Sequence, residues 1–102
     1  MKLKLKLDKV YCTPGVQMKL RDERNQQIVK WSLMRHQMGD WGNLGQEDKD
    51  TNDQCLESMN RILSAYNFIN DQKGFLPSSG EKFWIITDAG HEITTVLLPS
   101  EY

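Results

Sequence analysis

The sequence has 102 residues, the length of one domain, and it carries a net charge of −1. Charged residues make up 26% of the chain and hydrophobic residues 38%, a composition that excludes a disordered tail and a coiled coil. No apolar window of about 18 residues occurs, which excludes a membrane-spanning helix. The basic N-terminus lacks the apolar run of a signal peptide, so the sequence predicts a cytoplasmic protein.

Charge is segregated along the chain. Residues 1–35 carry nine Lys or Arg against three acids, whereas residues 36–60 carry one Lys against six acids. Proteins that bind a phosphate backbone tightly usually show a clear basic excess, so this balance disfavours stable binding to duplex DNA. A dipolar surface of this kind favours a protein partner.

The N-terminal segment alternates leucine with lysine. Leu3, Leu5 and Leu7 fall on one face of an extended chain, and the lysines between them fall on the other. This period of two predicts an amphipathic strand, and its lysines are typical of a sheet edge.

A short helix is predicted next. Thr13 is a favourable N-cap residue, and Pro14 suits the first helical position because its missing N–H needs no partner there. The pattern predicts a helix from Pro14 to about Leu20.

A longer second helix follows. Asp22 or Asn25 can cap it, and the helical pattern continues to about Gln37. Apolar residues at helical spacing predict its core-facing stripe: Ile28, Trp31, Met34 and Met38.

A glycine-rich turn ends the second helix. Gly39, Gly42 and Gly45 permit backbone angles that other residues avoid, which predicts a sharp change of direction. The segment 46–60 is polar and acidic, as expected for a solvated short helix and loop.

The second half of the chain is typical of strands. Segments 61–68, 83–87 and 93–98 are rich in β-branched and aromatic residues, which predicts three strands. Residues 88–91 form a favourable hairpin turn between the last two strands, and residues 70–80 form a longer loop before them.

These elements predict one α+β domain over residues 1–102. Helices in the N-terminal half are expected to pack on a three- to four-stranded antiparallel sheet. The segment 3–7 is the expected fourth strand.

His36 is the candidate for acid–base chemistry, since it lies near a helix end and four residues before Asp40. A histidine at that position is also favoured simply because its cation complements the helix dipole. The hypothesis of catalysis adds three residues of the predicted sheet, which together resemble a phosphate-binding surface: Arg61, Tyr66 and Thr94.

No metal or cofactor site is predicted. His36 and His91 have no acid at a ligand spacing, and Cys12 and Cys55 lie too far apart for a zinc or redox motif. Both cysteines are expected to be reduced. Trp41, between Asp40 and a glycine, is either a plug over the core or an exposed contact residue.

Several blocks resemble a known family. The segments 33–36, 39–42, 61–66, 84–87 and 94–102 are similar, in this order, to the plasmid-related small proteins carried on bacterial plasmids, phages and conjugative elements. The resemblance covers about two thirds of the chain and implies the context of a mobile element, with no activity attached.

The resemblance implies an accessory protein that blunts host defence. We expect it to bind and inhibit a host nuclease of the CRISPR or restriction type by protein contact, because an acidic surface suits a basic nucleic-acid channel. The expected contact residues are Asp40, Trp41, Glu47, Asp48, Asp50 and Asp53. The alternative is a small metal-independent ribonuclease of the barnase or RelE type, with His36 as acid or base and Arg61 on the phosphate.

Overall fold

The structure, a computed structural model, describes residues 3–69 and 80–102. The predicted loop 70–80 therefore lies almost entirely outside the described residues. Three α-helices precede three of the four strands, which confirms the α+β class. In chain order the elements are β1 (Lys9–Cys12), α1 (Pro14–Lys19), α2 (Glu23–Gln37), α3 (Gln46–Ser58), β2 (Ile62–Asn67), β3 (Lys82–Thr87), β4 (Ile93–Leu97) and a 3-10 turn (Pro99–Glu101).

The sheet has the strand order β1-β4-β3-β2. β2, β3 and β4 form the predicted antiparallel meander, with Ile85 opposite both Ser64 and Val96. β1 instead runs parallel to β4, with Val10 opposite Thr94. The sheet is thus mixed, which corrects the expectation of a purely antiparallel one.

The predicted strand at residues 3–7 is wrong. The backbone N–H groups of Lys4 and Leu5 both donate to the carbonyl oxygen of Gln37, at 2.8 and 3.0 Å. The segment thus caps the end of α2, whose last carbonyls lack partners within the helix. Leu5 is buried and Leu7 packs against the same cluster, whereas Leu3 is 44% exposed, so the alternation identified the buried side for two of the three leucines. The fourth strand lies just beyond it, at Lys9–Cys12.

The helix starts agree with the sequence. Pro14 opens α1, and Asp22 caps α2 by accepting a hydrogen bond from the backbone N–H of Arg24 at 2.9 Å. α3 ends at Met59, which adopts a left-handed conformation with φ of 59°. Among the described helices, none is long and apolar enough to cross a membrane.

The predicted core stripe of α2 is wrong at Trp31. Its side chain is 63% exposed, on the solvent side of the helix. The buried positions of α2 follow a different helical stripe, most of which is polar: Asn25, Val29, Ser32 and His36. The inward side of α2 therefore combines the apolar contact of Val29 with hydrogen bonds from His36 to the strands.

Two apolar clusters lie between the helices and the sheet. The larger joins Val16 of α1 and Val29 of α2 to the inner residues of the strands, where Phe68 stacks on Phe83 at 4.4 Å between ring centres. The smaller surrounds Trp41 at the β2 end of the sheet.

Gly42 lies where the glycine-rich turn pairs with the free edge of β2. The N–H of Ala65 donates to the carbonyl oxygen of Trp41, and the N–H of Asn43 donates to that of Ala65, at 3.2 and 2.7 Å. Gly42 itself has φ of 74°, and a Cβ built on it would lie 2.0 Å from the Ala65 carbonyl oxygen. This approach requires a glycine.

We predict that Gly42→Ala lowers the free energy of unfolding by about 2–4 kcal/mol, since it adds backbone strain and displaces the edge pairing. Chemical denaturation measures the change. Gly45→Ala is the matched control, because Gly45 has ordinary backbone angles and open space around it, and the loss of an N-cap glycine should cost no more than about 1 kcal/mol. Equal stability of Gly42→Ala and wild type would contradict this account of the turn.

Candidate functional site

His36 lies between α2 and the sheet, and it is completely buried, with 0% exposure. Its Nδ1 is 2.6 Å from the hydroxyl of Ser64 on β2, and its Nε2 is 2.8 Å from that of Thr87 on β3. Thr87 in turn pairs with Thr94 of β4 at 2.8 Å. One imidazole thereby links α2 to three strands.

Burial, together with a smaller effect of charge repulsion from His91, lowers the pKa of His36 from 6.5 to about 3. The imidazole is therefore neutral at physiological pH, with one ring nitrogen donating a hydrogen bond and the other accepting one. Both hydroxyl partners can rotate to match it. No buried side-chain polar atom in the described part of the chain lacks a partner.

The structure does not bring the four residues of the ribonuclease hypothesis into one site. His36, Tyr66 and Thr94 lie on the inner, helix-covered side of the sheet and are at most 2% exposed. Arg61 is exposed. It directly precedes β2, and strand alternation places it on the opposite side of the sheet. No substrate in solvent can contact these three buried groups, so the geometry gives the ribonuclease hypothesis no support.

Trp41 is a plug over the core and not a contact residue. It is 2% exposed, packs edge-on against His36 at 5.6 Å between ring centres, and donates from Nε1 to the carboxylate of Asp53 at 2.9 Å. A partner protein cannot reach its indole ring, which corrects the expectation that Trp41 contributes to binding.

Asp40 stabilises the turn in which Trp41 lies. Its carboxylate accepts from the Arg35 guanidinium at 2.7 Å, and this bond holds the pKa of Asp40 below its ordinary value. The same contact raises the pKa of Arg35. The hydroxyl of Tyr66 donates to the carbonyl oxygen of Asp40, and burial raises the pKa of that hydroxyl. Asp40 is therefore partly neutralised by a structural ion pair.

The other predicted contact residues lie on α3 and are exposed, and we name them the acidic helix surface: Glu47, Asp48, Asp50 and Asp53. Gln46 donates to Asp50 at 2.9 Å, but no Lys or Arg in the described part of the chain forms an ion pair with any of the four. Glu47 and Asp48 also lie in the first turn, where carboxylates favour the helix dipole.

Sequence reasoning missed the side of the sheet that faces away from α1 and α2. Trp84 lies there with Arg61 and Tyr102, and a cavity of about 520 Å³ opens between this side and the first turns of α3. The sequence of β3 contained the information needed to find this side, since alternation places the cation of Lys82 and the indole of Trp84 on the same side of the strand.

The cysteines and acids form no metal centre in the part of the chain that the structure describes. No group of three His, Cys, Asp or Glu side chains there is arranged to hold an ion. Cys12 and Cys55 are free thiols, and burial raises the pKa of Cys12.

Comparison of the chain with protein-family models, with curated proteins and with solved structures finds no match. The fold and the surfaces described above are therefore the basis of the functional argument.

We predict that stability falls as the pH falls from about 6.5 to about 5, by up to about 1.4 kcal/mol per pH unit. In this window the unfolded chain protonates His36 whereas the folded chain does not, because the folded pKa is lower. His36→Gln should be less stable at neutral pH and should lose this slope. Urea denaturation across the pH range measures both.

His91→Asn is the control for that slope, since asparagine tolerates the left-handed backbone at this position and His36 stays in place. NMR of the imidazole resonances gives a second readout that needs no variant. A His36 signal that titrates near pH 6.5 in the folded protein would refute the buried neutral assignment.

Proposed function

We infer that this protein is a non-enzymatic inhibitor that docks its acidic helix surface onto a basic surface of a host-defence nuclease. The observation that carries the proposal is that Glu47, Asp48 and Asp50 are exposed on one short helix and make no ion pair within the described residues. Their charge is thus available to a partner.

Physical chemistry supports such a surface as a recognition element. Unpaired carboxylates on a rigid helix produce a negative potential that accelerates encounter with a basic partner and sets its orientation. A nuclease channel lined with Lys and Arg presents the complementary potential. Because α3 is anchored through Asn52, which hydrogen-bonds both backbone groups of Leu63, its charges keep fixed positions.

The buried histidine network supports a binding role over a catalytic one. His36 is the histidine of the catalytic hypothesis, and its contacts to Ser64 and Thr87 satisfy both ring nitrogens inside the core. The resemblance to plasmid-related proteins of mobile elements suggests which partner to test first, a CRISPR or restriction nuclease. The proposal places the encounter in the bacterial cytoplasm.

We predict that the triple variant Glu47→Gln, Asp48→Asn, Asp50→Asn binds such a nuclease at least about tenfold more weakly, with a melting temperature changed by no more than about 4 °C. The tagged protein is recovered from its bacterial host, the nuclease that co-purifies is identified, and inhibition of its DNA cleavage is titrated. Wild type should inhibit at a stoichiometry near one to one.

The matched control removes three exposed acids from other parts of the chain, with the same change of net charge: Asp8→Asn, Glu23→Gln and Glu92→Gln. It should inhibit as wild type does. Equal inhibition by both triple variants would show that the acids of α3 have no special role in binding, which would contradict the proposal. Failure of wild type to capture and inhibit any nuclease would reject the proposal.

A further inference from the structure

The outer sheet face is the side of the sheet opposite His36, and the first turns of α3 lie along its β2 border. Strand alternation defines it, as the inner positions are those that pack against α1 and α2. Its outward positions are Lys9, Tyr11, Leu63, Ala65, Asn67, Lys82, Trp84, Ile86, Ile93, Thr95 and Leu97.

Aromatic rings and one guanidinium cluster on this face. Trp84 meets the ring of Tyr102 edge-on at 5.8 Å, and the Arg61 guanidinium lies 5.4 Å from the centre of the Tyr102 ring and donates to its hydroxyl. Tyr102 is 73% exposed. Trp84 is half-buried. Flat rings that are held in place and reach solvent are suited to stacking with other flat rings.

Two concavities meet at Arg61. The first, of about 520 Å³, is lined by Trp84, Ala65 and Lys82. The second, of about 270 Å³, is lined by Ile86 and Tyr102. A volume of the first size is within the range of natural ligand sites, about 300–1,000 Å³. Arg61 lines both, so the two concavities are neighbours on this face.

The charges of this face are cationic. Every charged residue at an outward strand position is a lysine, and Lys9, Lys82 and Arg61 form no ion pair within the described residues. Three acids line the concavities: Asp48 lines the first, and Asp88 and Glu101 line the second. The first concavity, where Arg61 and Lys82 outnumber Asp48, therefore attracts an anionic ligand.

The spacing of the cations suits a chain with repeated charges. Lys82 is opposite Asn67, six positions along β2 from Arg61, which corresponds to about 20 Å of strand. Trp84 is opposite Ala65, between the two cations. A ligand that touches all three groups must be extended, with negative charge at intervals and a flat ring between them.

We propose that the outer sheet face binds single-stranded nucleic acid, with bases stacked on Trp84 and Tyr102 and phosphates held by Arg61 and Lys82. Open sheets that combine aromatic rings with cations bind single strands in this way, because every base has a flat face. A duplex hides those faces and presents a cylinder of phosphates instead, so this surface discriminates against it.

The proposal is independent of the nuclease-inhibitor function, and Asp48 separates the two. Asp48 belongs to the acidic helix surface, yet it also lines the first concavity. Neutralising Asp48 removes its repulsion of a phosphate chain and should strengthen nucleic-acid binding. The same change removes its attraction for a basic protein and should weaken nuclease binding. The same substitution thus has opposite effects on the two activities.

The test is fluorescence anisotropy of labelled oligouridylate and oligothymidylate of about 12 nucleotides at about 50 mM salt. We predict binding that weakens at least about tenfold in the double variant Arg61→Ala, Lys82→Ala. Its affinity should also depend less on salt, with a logarithmic slope smaller by about 0.7 for each phosphate that the variant no longer neutralises. The control double variant Arg21→Ala, Lys30→Ala removes two exposed cations from the helical side and should bind as wild type does.

Two single variants complete the test. Lys82→Glu should leave the fold intact, since Lys82 is exposed and unpaired within the described residues, and it should abolish binding. Asp48→Asn should tighten oligonucleotide binding by about threefold. The proposal is overturned if wild type does not bind at about 100 µM protein, if both double variants bind equally, or if duplex DNA binds as tightly as single strands.

Discussion

The neutral imidazole of His36, sealed between helix and sheet, is the constraint on which the other elements depend. It accepts and donates across the core to Ser64 and Thr87, and it thereby fixes the rotation of α2 over the sheet. Trp41 packs edge-on against the same ring, and its indole N–H donates to Asp53 of α3. A continuous series of contacts therefore runs from the core to the acidic helix surface. The buried network sets the position of charges that a partner would meet.

The fold was predictable where local signals agree with the final contacts. Asp22 caps α2 by a hydrogen bond two residues away, and the hairpin between β3 and β4 needs only its turn and its alternation. The segment 3–7 has equally regular alternation and still forms no strand, because the N–H groups of Lys4 and Leu5 donate to Gln37 of α2 and not to a neighbouring strand. Parallel pairing of β1 with β4 depends on residues far apart in the chain. Local sequence cannot specify such a contact.

The candidate surfaces divide in the same manner. Exposure of Glu47, Asp48 and Asp50 was predictable, since a polar helix without an apolar stripe has little to bury. The burial of Trp41 and the exposure of Trp31 were not predictable, because a tryptophan can lie on either side of a helix or turn and only its tertiary contacts decide which. Trp84 illustrates the remaining limit. The alternation of residues along a strand shows that it has two sides. Only the packing of α1 and α2 determines which of these sides the two helices leave uncovered.

The pairing of β1 with β4 has a consequence for the order of folding during synthesis. Lys9 is opposite Ile93, and the carboxylate of Glu101 accepts hydrogen bonds from the Thr13 hydroxyl and the Gly15 N–H at the start of α1. Neither contact can form until the last strand has left the ribosome. β1 thus emerges well before the strand with which it pairs, and closing so long a loop is costly in chain entropy. Until then β4 has a free edge, which a chaperone or a second nascent chain can meet.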